Sequence, residues 1–351
     1  MSKNPLPSTA SAVPLSSEAA PLGDGVYRIT LPLPFPTPNA VNCYLFEGDQ
    51  GLTLLDCGID GDDEIELLNR ALAGFGFALT DLHRLVASHL HVDHMGMAKR
   101  IIVSTGCEWV MHSSTAAEVE HYNDWDHRRN ELARLVEEGG APHQAVTRFR
   151  REMTRPAWFS EAIAPTHPVE NGQRIPLSPT RSLEVIFTPG HQANQVCLRD
   201  SRTGRLFSGD HVLPRISPFI PYTGEDQDHL GAYLASLDRI VGLDVHETYP
   251  GHGPIIEQGS ARAHQILLHH QRRLDAMLEV LTERPRTPWQ IMQSVFRPNL
   301  SFLEERLAFQ ETMAHLEHLR RTGRVQRTLA DGGWWYEKWK LEGVGTSYLE
   351  L

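Results

Sequence analysis

Six consecutive residues, His89-Leu90-His91-Val92-Asp93-His94, restrict this chain more than any other segment. The pattern H-x-H-x-D-H sets three imidazoles and a carboxylate within one short stretch. Neutral imidazole and carboxylate are good donors to first-row divalent metals. A zinc ion that keeps an open coordination position lowers the pKa of its bound water to about 7. The stretch has the reach to serve two metal positions, because His89 and His91 point one way while Asp93 and His94 can turn to another. The run Leu85-Val86-Ala87-Ser88 just before it reads as a buried strand. A strand that ends in histidines holds them on a rigid support, which separates this cluster from a merely histidine-rich loop.

The 351 residues are too many for one small core and predict one large domain with an appendage. A hydrophobic fraction of 40% fits a globular protein. No apolar run approaches the ~20 residues that span a bilayer, so no membrane segment is expected. Residues 1–22 are rich in Ser, Ala and Pro, without an apolar core or basic flank. They read as a flexible N-terminal tail, not a secretory signal. Cys43, Cys57, Cys107 and Cys197 are scattered without paired spacing, as expected of reduced packing thiols in a cytoplasmic protein.

The net charge of −11 is uneven. From Glu257 onward 13 basic and 12 acidic residues nearly cancel, so the remainder carries −12. That field opposes loose attraction to polyanions, so a small-molecule substrate is expected and nucleic acid is not.

Short β-rich runs at Val26–Ile29, Asn42–Glu47 and Leu52–Asp56 precede the histidine strand, with a hairpin turn at Gly48-Asp49-Gln50-Gly51. Asp62–Ala73 has helical spacing of Ile65, Leu68 and Leu72. Met95–Ser104 predicts another helix, and Glu108–Met111 the next strand. Residues 113–165 change character and predict two or three amphipathic helices, a cap that shapes the substrate pocket over the metal cleft. Strands resume at Leu183–Phe187, Gln195–Leu198 and Arg205–Ser208, followed by a helix over Asp228–Val241 and a short strand at Glu247–Tyr249. Strands alternating with helices predict a layered α/β core.

Residues 258–351 read as a separate unit with a winged-helix outline: helices over Ala261–Leu281, from Thr287 and over Leu303–Arg321, then two strands over Arg324–Trp339. Thr287-Pro288-Trp289-Gln290 is a capping box with proline at the first helical position. A DNA-reading winged helix wants a basic third helix. Here that helix carries Glu304, Glu305, Glu311 and Glu317, so a structural or homodimer-forming role is expected.

A two-metal site needs about seven donors and a bridging position for water. Four lie in the first motif. Three glycine-containing turns, each after a predicted strand, offer more: Thr188-Pro189-Gly190-His191, Ser208-Gly209-Asp210-His211 and Tyr249-Pro250-Gly251-His252-Gly253. This ordered set, with Leu54-Leu55-Asp56-Cys57-Gly58, resembles the metallo-β-lactamase-fold hydrolase superfamily over about Gly25–Glu257. The long gap from His94 to His191, the tail, and the segments Leu31–Phe35 and Gly209–Pro214 are most similar to its lactamase-β-2-like branch.

The resemblance implies an αβ/βα sandwich over 23–257 with two divalent metal ions at one edge. Zinc is the first expectation, with iron or manganese compatible with the same donors. By position, His89, His91 and His191 would hold the first metal and Asp93, His94 and His252 the second. Asp210 would bridge them, and Asp56 would support the ligand loops from behind. A bridging hydroxide would attack a carbonyl of a thioester, ester or lactone, with Asp210 holding the bridge and Asp93 also relaying a proton. Endoribonuclease and phosphotriesterase chemistry are the alternatives within the same fold. Gln192-Ala193-Asn194-Gln195 departs from the turn of glyoxalase-type thioesterases, and Leu213 stands near where lactonases place a tyrosine. Arg215, Ser217, Phe219 and Tyr222, with Tyr122, Trp125 and Trp158, are the expected substrate-pocket residues.

Overall fold

The computed structural model describes residues 18–339. A sheet of seven strands follows chain order: β1 (Glu18–Gly23), β2 (Val26–Pro32), β3 (Ala40–Phe46), β4 (Leu52–Leu55), β5 (Leu82–Val86), β6 (Glu108–His112) and β7 (His167–Val169). The early strands are antiparallel; β4 to β7 are parallel. A second sheet holds β8 (Arg174–Ser178), β9 (Arg181–Phe187), β10 (Val196–Asp200), β11 (Leu206–Gly209) and β12 (Thr248–Pro250), in the order β12-β11-β10-β9-β8. The helices α1 (Asp62–Gly74), α2 (Val92–Met95) and α3 (Ala98–Thr105) lie within the first half. Next come α4 (Thr115–Asn123), α5 (Trp125–Glu138) and α6 (His143–Glu152), and α7 (His229–Gly242) follows β11. The tail is α8 (Gly259–Val280), α9 (Pro288–Val295), α10 (Phe302–Arg321) and the hairpin β13 (Val325–Ala330) and β14 (Gly333–Lys338).

The period-2 alternation of strand side chains generates the layers. Tyr44, Phe46 and Leu55 of the first sheet meet Val185, Leu198 and Phe207 of the second in a core between the sheets. Their neighbours Cys43, Leu45 and Leu54 face the other way, onto Leu67, Leu68, Leu72 and Ile101 of α1 and α3. On the second sheet, Ile186, Cys197 and Leu206 face α7 through Tyr233, Leu237 and Ile240. The result is the α/β sandwich with helices on both outer faces. All four cysteines are free and buried, and burial raises their thiol pKa values, so they act as packing groups.

Two expectations need correction, and a third gains detail. The segment before residue 23 was expected to be a loose tail, but Glu18–Gly23 is β1, paired antiparallel with β2; residues 1–17 lie outside those described. The helix expected over Met95–Ser104 breaks at Gly96-Met97, where Gly96 is pressed so close to Gly58 and Ile59 that a Cβ would sit 2.7 Å from their backbone. Residues 258–351 are expected to be a separate unit; among the described residues, 258–339 pack into an apolar cluster shared with other helices. Trp289, Phe309 and Leu316 belong to the same apolar cluster as α7 and as Leu132, Val136, Val146 and Phe149 of α5 and α6. The Trp289 amide donates to the Gly139 carbonyl at the end of α5 (2.9 Å), and Arg148 pairs with Glu305. The inserted helices are thus fastened to the tail and do not form a detached cap.

Arg181 at the start of β9 and Asp200 at the end of β10 form a buried ion pair, 5% and 0% exposed, with Nη2 to Oδ2 at 2.5 Å. Burial alone would raise the Asp200 pKa, but hydrogen bonds from Arg181 and the Arg202 amide hold it below the ordinary carboxylate value. Its contribution to stability is therefore complete above the unfolded carboxylate pKa and lost as pH falls through the lower folded one. Asp200→Ala should cost about 3–5 kcal/mol in urea unfolding at pH 7, because it strands a buried guanidinium. A loss under ~1 kcal/mol would show that the pair is not structurally important.

Candidate metal centre

The ends of β4, β5, β9, β11 and β12 meet at one edge of the sandwich, and each delivers part of one cluster. Backbone bonds lock the strand ends there: the Val196 amide donates across the sheets to the Ser88 carbonyl (2.9 Å), and within the second sheet Gly251 donates to Gly209 (2.7 Å). Asn42 on β3 clamps the last loop, with its amide on the Gly251 carbonyl (2.7 Å) and its side chain on the Pro250 and Gly253 carbonyls (3.0 and 2.9 Å). Tyr44 Oη also donates to the Pro250 carbonyl (2.8 Å).

The donor atoms fall into two groups, His89, His91, His191 and Asp210 in one and Asp93, His94 and His252 in the other. In the first, Nδ1 of His91 lies 2.9 Å from Nε2 of His89 and 3.0 Å from Nε2 of His191. In the second, Nε2 of His252 lies 3.3 Å from both Asp93 Oδ2 and Asp210 Oδ1. Asp210 touches both groups: Oδ1 is 3.3 Å from Nε2 of His94, and Oδ2 is 3.7 Å from Nε2 of His191. All seven sequence-expected donors are therefore brought together.

What holds each ring fixes its tautomer. His191 Nδ1 donates to the Phe219 carbonyl (2.6 Å) and His252 Nδ1 to the Ala40 carbonyl (2.7 Å). His94 Nδ1 donates to Asp56 Oδ2 (2.7 Å). Carbonyls and carboxylates only accept, so Nε2 is the nitrogen each ring turns to the cluster, with its lone pair free on the neutral His191. The Gln192 amide lies 2.6 Å from Nε2 of His91, leaving Nδ1 to face the other two rings. Asp56 is 1% exposed and sits at φ 61°, a left-handed conformation costly for a side chain of its kind. That geometry lets its carboxylate accept from the Ser88 amide (2.7 Å) and hydroxyl (3.0 Å) as well as from His94.

The electrostatics separate the groups. Burial and neighbouring imidazoles hold His89 well below its ordinary pKa and push His91 down to about 3; burial also lowers His191. These three rings are neutral. Burial opposes charge on His94 and His252 too, but Asp210, Asp56 and Asp93 hold His94 well above its ordinary pKa, and Asp210 and Asp93 raise His252 to about 10. Burial likewise opposes charge on Asp93, yet His94 and His252 bring it down to about 2. His94 Nε2 and Asp210 Oδ1 are buried without any hydrogen-bond partner. Convergent neutral lone pairs beside orphaned buried donors and carboxylates fit divalent cations well.

The expected pocket residues divide. Tyr122 and Trp158 pack with Phe35 and Val92 on one apolar cluster, and Asp93 is close enough to help raise the Tyr122 pKa. Phe159 stacks on Tyr122 (centroids 5.4 Å) and meets Trp125 edge-on (5.5 Å), so these rings form one aromatic wall. Phe219 contributes its carbonyl to His191. Tyr222 is a correction: it is 8% exposed, packed in the core shared with the tail and beside Arg327. Arg215 and Ser217 line a different cavity, against α8.

Sequence reasoning missed the amides beside His191. Asn194 Oδ1 accepts from the Leu90 amide between the first two histidines (3.3 Å), and Gln195 Nε2 donates to the Ser208 carbonyl (3.3 Å). The Gln-x-Asn-Gln run was visible as a departure from a known turn, but spacing gives no hint of what an amide will brace.

The Metallo-beta-lactamase superfamily profile matches residues 36–252, and that of the metallo-beta-lactamase-like C-terminal domain matches 274–339. The chain belongs to the metallo-beta-lactamase superfamily. It is 28% identical over 305 residues to the probable metallo-hydrolase YqjP of Bacillus subtilis, covering 84% of this chain and 92% of that one. It is 27% identical over 248 residues to the acyl-coenzyme A thioesterase MBLAC2 of Gallus gallus, covering 66% and 79%. A beta-lactamase-like protein 2 homolog of Caenorhabditis elegans is 29% identical over 123 residues, 35% of this chain and 39% of that one. Among solved structures, the metallo-beta-lactamase family protein TTHA1429 of Thermus thermophilus superposes with a TM-score of 0.75 at 28% identity, covering 91% of this chain and all of that one. The chain is thus a metal-dependent hydrolase of this superfamily.

Two outcomes are expected. Zinc titration of metal-free protein at pH 7 should release about two protons, from His94 and His252, because the other three rings are already neutral. Zinc binding at the second group should therefore strengthen as pH rises, which unbuffered titration and calorimetry at two pH values will read. Gly251 approaches so closely that a Cβ would lie 2.6 Å from both Asp210 Oδ1 and His94 Cε1. Gly251→Ala should weaken zinc retention about 10- to 100-fold while the circular dichroism spectrum stays unchanged.

Proposed function

We propose that this protein hydrolyses small acyl thioesters with two divalent metal ions, zinc in the first instance. The observation that carries the reading is Asp210, whose two carboxylate oxygens face the two donor groups separately. His89, His91 and His191 would hold one ion and Asp93, His94 and His252 the other, with Asp210 shared. When bound, such ions lower the pKa of water and polarise a carbonyl. The remaining work falls to the chain. Asp56, Phe219, Ala40 and Gln192 orient the rings, and Asp93 would relay a proton as well as hold an ion.

Tyr122, Trp125, Trp158 and Phe159 offer an apolar wall for an acyl group, on the side of the cluster that carries Asp93. The thioester choice, over an ester or lactone, is supported by the acyl-coenzyme A thioesterase relative. Nucleic acid is disfavoured by an observation of the tail. We read α8–α10 and the hairpin as winged-helix-like, but the helix that would enter a groove, α10, buries Phe309, Met313, Leu316 and Leu319 in the shared core. No helix among the described residues is long and apolar enough to cross a membrane.

The test is a substrate panel on zinc-loaded protein: acyl thioesters, lactones, nitrophenyl esters, phosphotriesters and RNA. Thioesters should give kcat/KM at least ~10-fold above every other class, and His91→Ala should abolish turnover without unfolding the chain. RNA cleavage exceeding thioester cleavage would overturn the reading.

A further inference from the structure

A second concentration of chemistry lies where the segment after Asp210 meets the C-terminal helices. A cavity of about 370 Å³ there is lined by Arg215, Ser217, Arg262, Gln265, His269 and Arg273. Glu311 also lines it, and that carboxylate is already paired with Arg273 (Nη1 to Oε1, 3.3 Å). Arg262 is fixed in place, donating through Nε to the Leu213 carbonyl (2.7 Å) and through Nη2 to the Ile216 carbonyl (3.0 Å). Among the described residues, none accepts a hydrogen bond or ion pair from the Arg215 guanidinium. The pocket is therefore cationic, in a chain whose net charge is −11.

His269, His270 and Glu311 have donor spacing suited to a metal. A cation is nevertheless disfavoured. Both ring nitrogens of His270 are engaged, Nε2 with Ser217 Oγ (2.9 Å) and Nδ1 with His315 Nε2 (3.1 Å). Burial, with Arg273, Arg262 and Arg272, already disfavours positive charge on His269. What repels a metal ion attracts an anion. Guanidinium forks match the oxygens of a phosphate, and a fixed one loses little freedom on binding.

The pocket is also tied to the reactive edge. Part of its wall, Arg215 to Ser217, belongs to the segment that runs from Asp210 to Phe219, whose carbonyl holds His191. We propose that this cavity binds the phosphate groups of a phosphorylated thiol carrier of the coenzyme A kind, holding the leaving half of an acyl thioester while the neighbouring donor cluster cleaves it. This rests on the thioester reading above, and its test separates the two.

Zinc-loaded wild type, Arg215→Glu and Arg215→Gln are compared on two thioesters of one acyl group, with coenzyme A and with N-acetylcysteamine, which lacks phosphate. The ratio of kcat/KM for the first over the second should fall at least ~10-fold in Arg215→Glu, and less in Arg215→Gln. An unchanged ratio overturns the proposal. In parallel, adenosine 3′,5′-bisphosphate and inorganic phosphate are titrated by calorimetry. Nucleotide binding weakened ~10-fold or more by Arg215→Glu supports the pocket even if neither thioester is cleaved, in which case the thioester reading alone falls. Absence of nucleotide binding, or inorganic phosphate binding as tightly, overturns the carrier assignment.

Discussion

Three neutral imidazoles turn ring nitrogens toward one buried space, beside which His94 Nε2 and Asp210 Oδ1 are left without a hydrogen-bond partner. That unanswered convergence is the constraint around which the edge of the sandwich is built. The Gln192 amide on Nε2 of His91 leaves the ring proton on Nδ1, which the Nε2 atoms of both His89 and His191 face at about 3 Å, and burial removes the water that would serve the one left over. The fold holds the rings of both donor groups there by spending hydrogen bonds on their far sides: Phe219, Ala40 and Asp56 fix His191, His252 and His94 from behind. Asp56 accepts a left-handed backbone to reach His94 and the Ser88 backbone at once. A left-handed backbone and crowded rings together make sense only in a scaffold whose sheets over-determine the loop ends, as the Asn42, Tyr44 and Val196 bonds do here.

Much of this was legible in the sequence because the chemistry is local. The H-x-H-x-D-H stretch and three glycine turns each follow a strand, and each strand ends at the same edge. Gly190 shows why such turns carry glycine: its φ is +145°, and a Cβ would meet Tyr233 of α7 at 2.3 Å. The capping box at Thr287 was equally plain, since it needs only residues three apart.

What escaped follows a physical pattern. The strands β1, β7 and β8 were not foreseen, and each is the edge of its sheet and contains a proline: Pro21, Pro168 and Pro176. Proline argues against a strand in general but is tolerated at an edge, where its missing N–H faces no partner. Edge status is a property of the assembled sheet, invisible in a single segment. The place of Tyr222 escaped for a similar reason. Nearness in sequence to Asp210 suggested the pocket, whereas the tail packs over that part of the segment and takes the ring into its core.

That packing changes how the appended parts relate to the chemistry. The inserted helices carry the aromatic wall at one end, on α4 and the start of α5, and their apolar face at the other, on α5 and α6. The second face shares a core with α9 and α10, so the wall is braced by residues more than 150 positions further along the chain. A wall held at both ends is a fixed surface, and its shape is set jointly by insertion and tail. The tail also supplies α8, which contributes Arg262 and Arg273 to the cationic cavity beside the Asp210 segment. Swapping either part between relatives should therefore alter substrate choice without touching any of the seven clustered side chains, because these are carried by the sandwich edge.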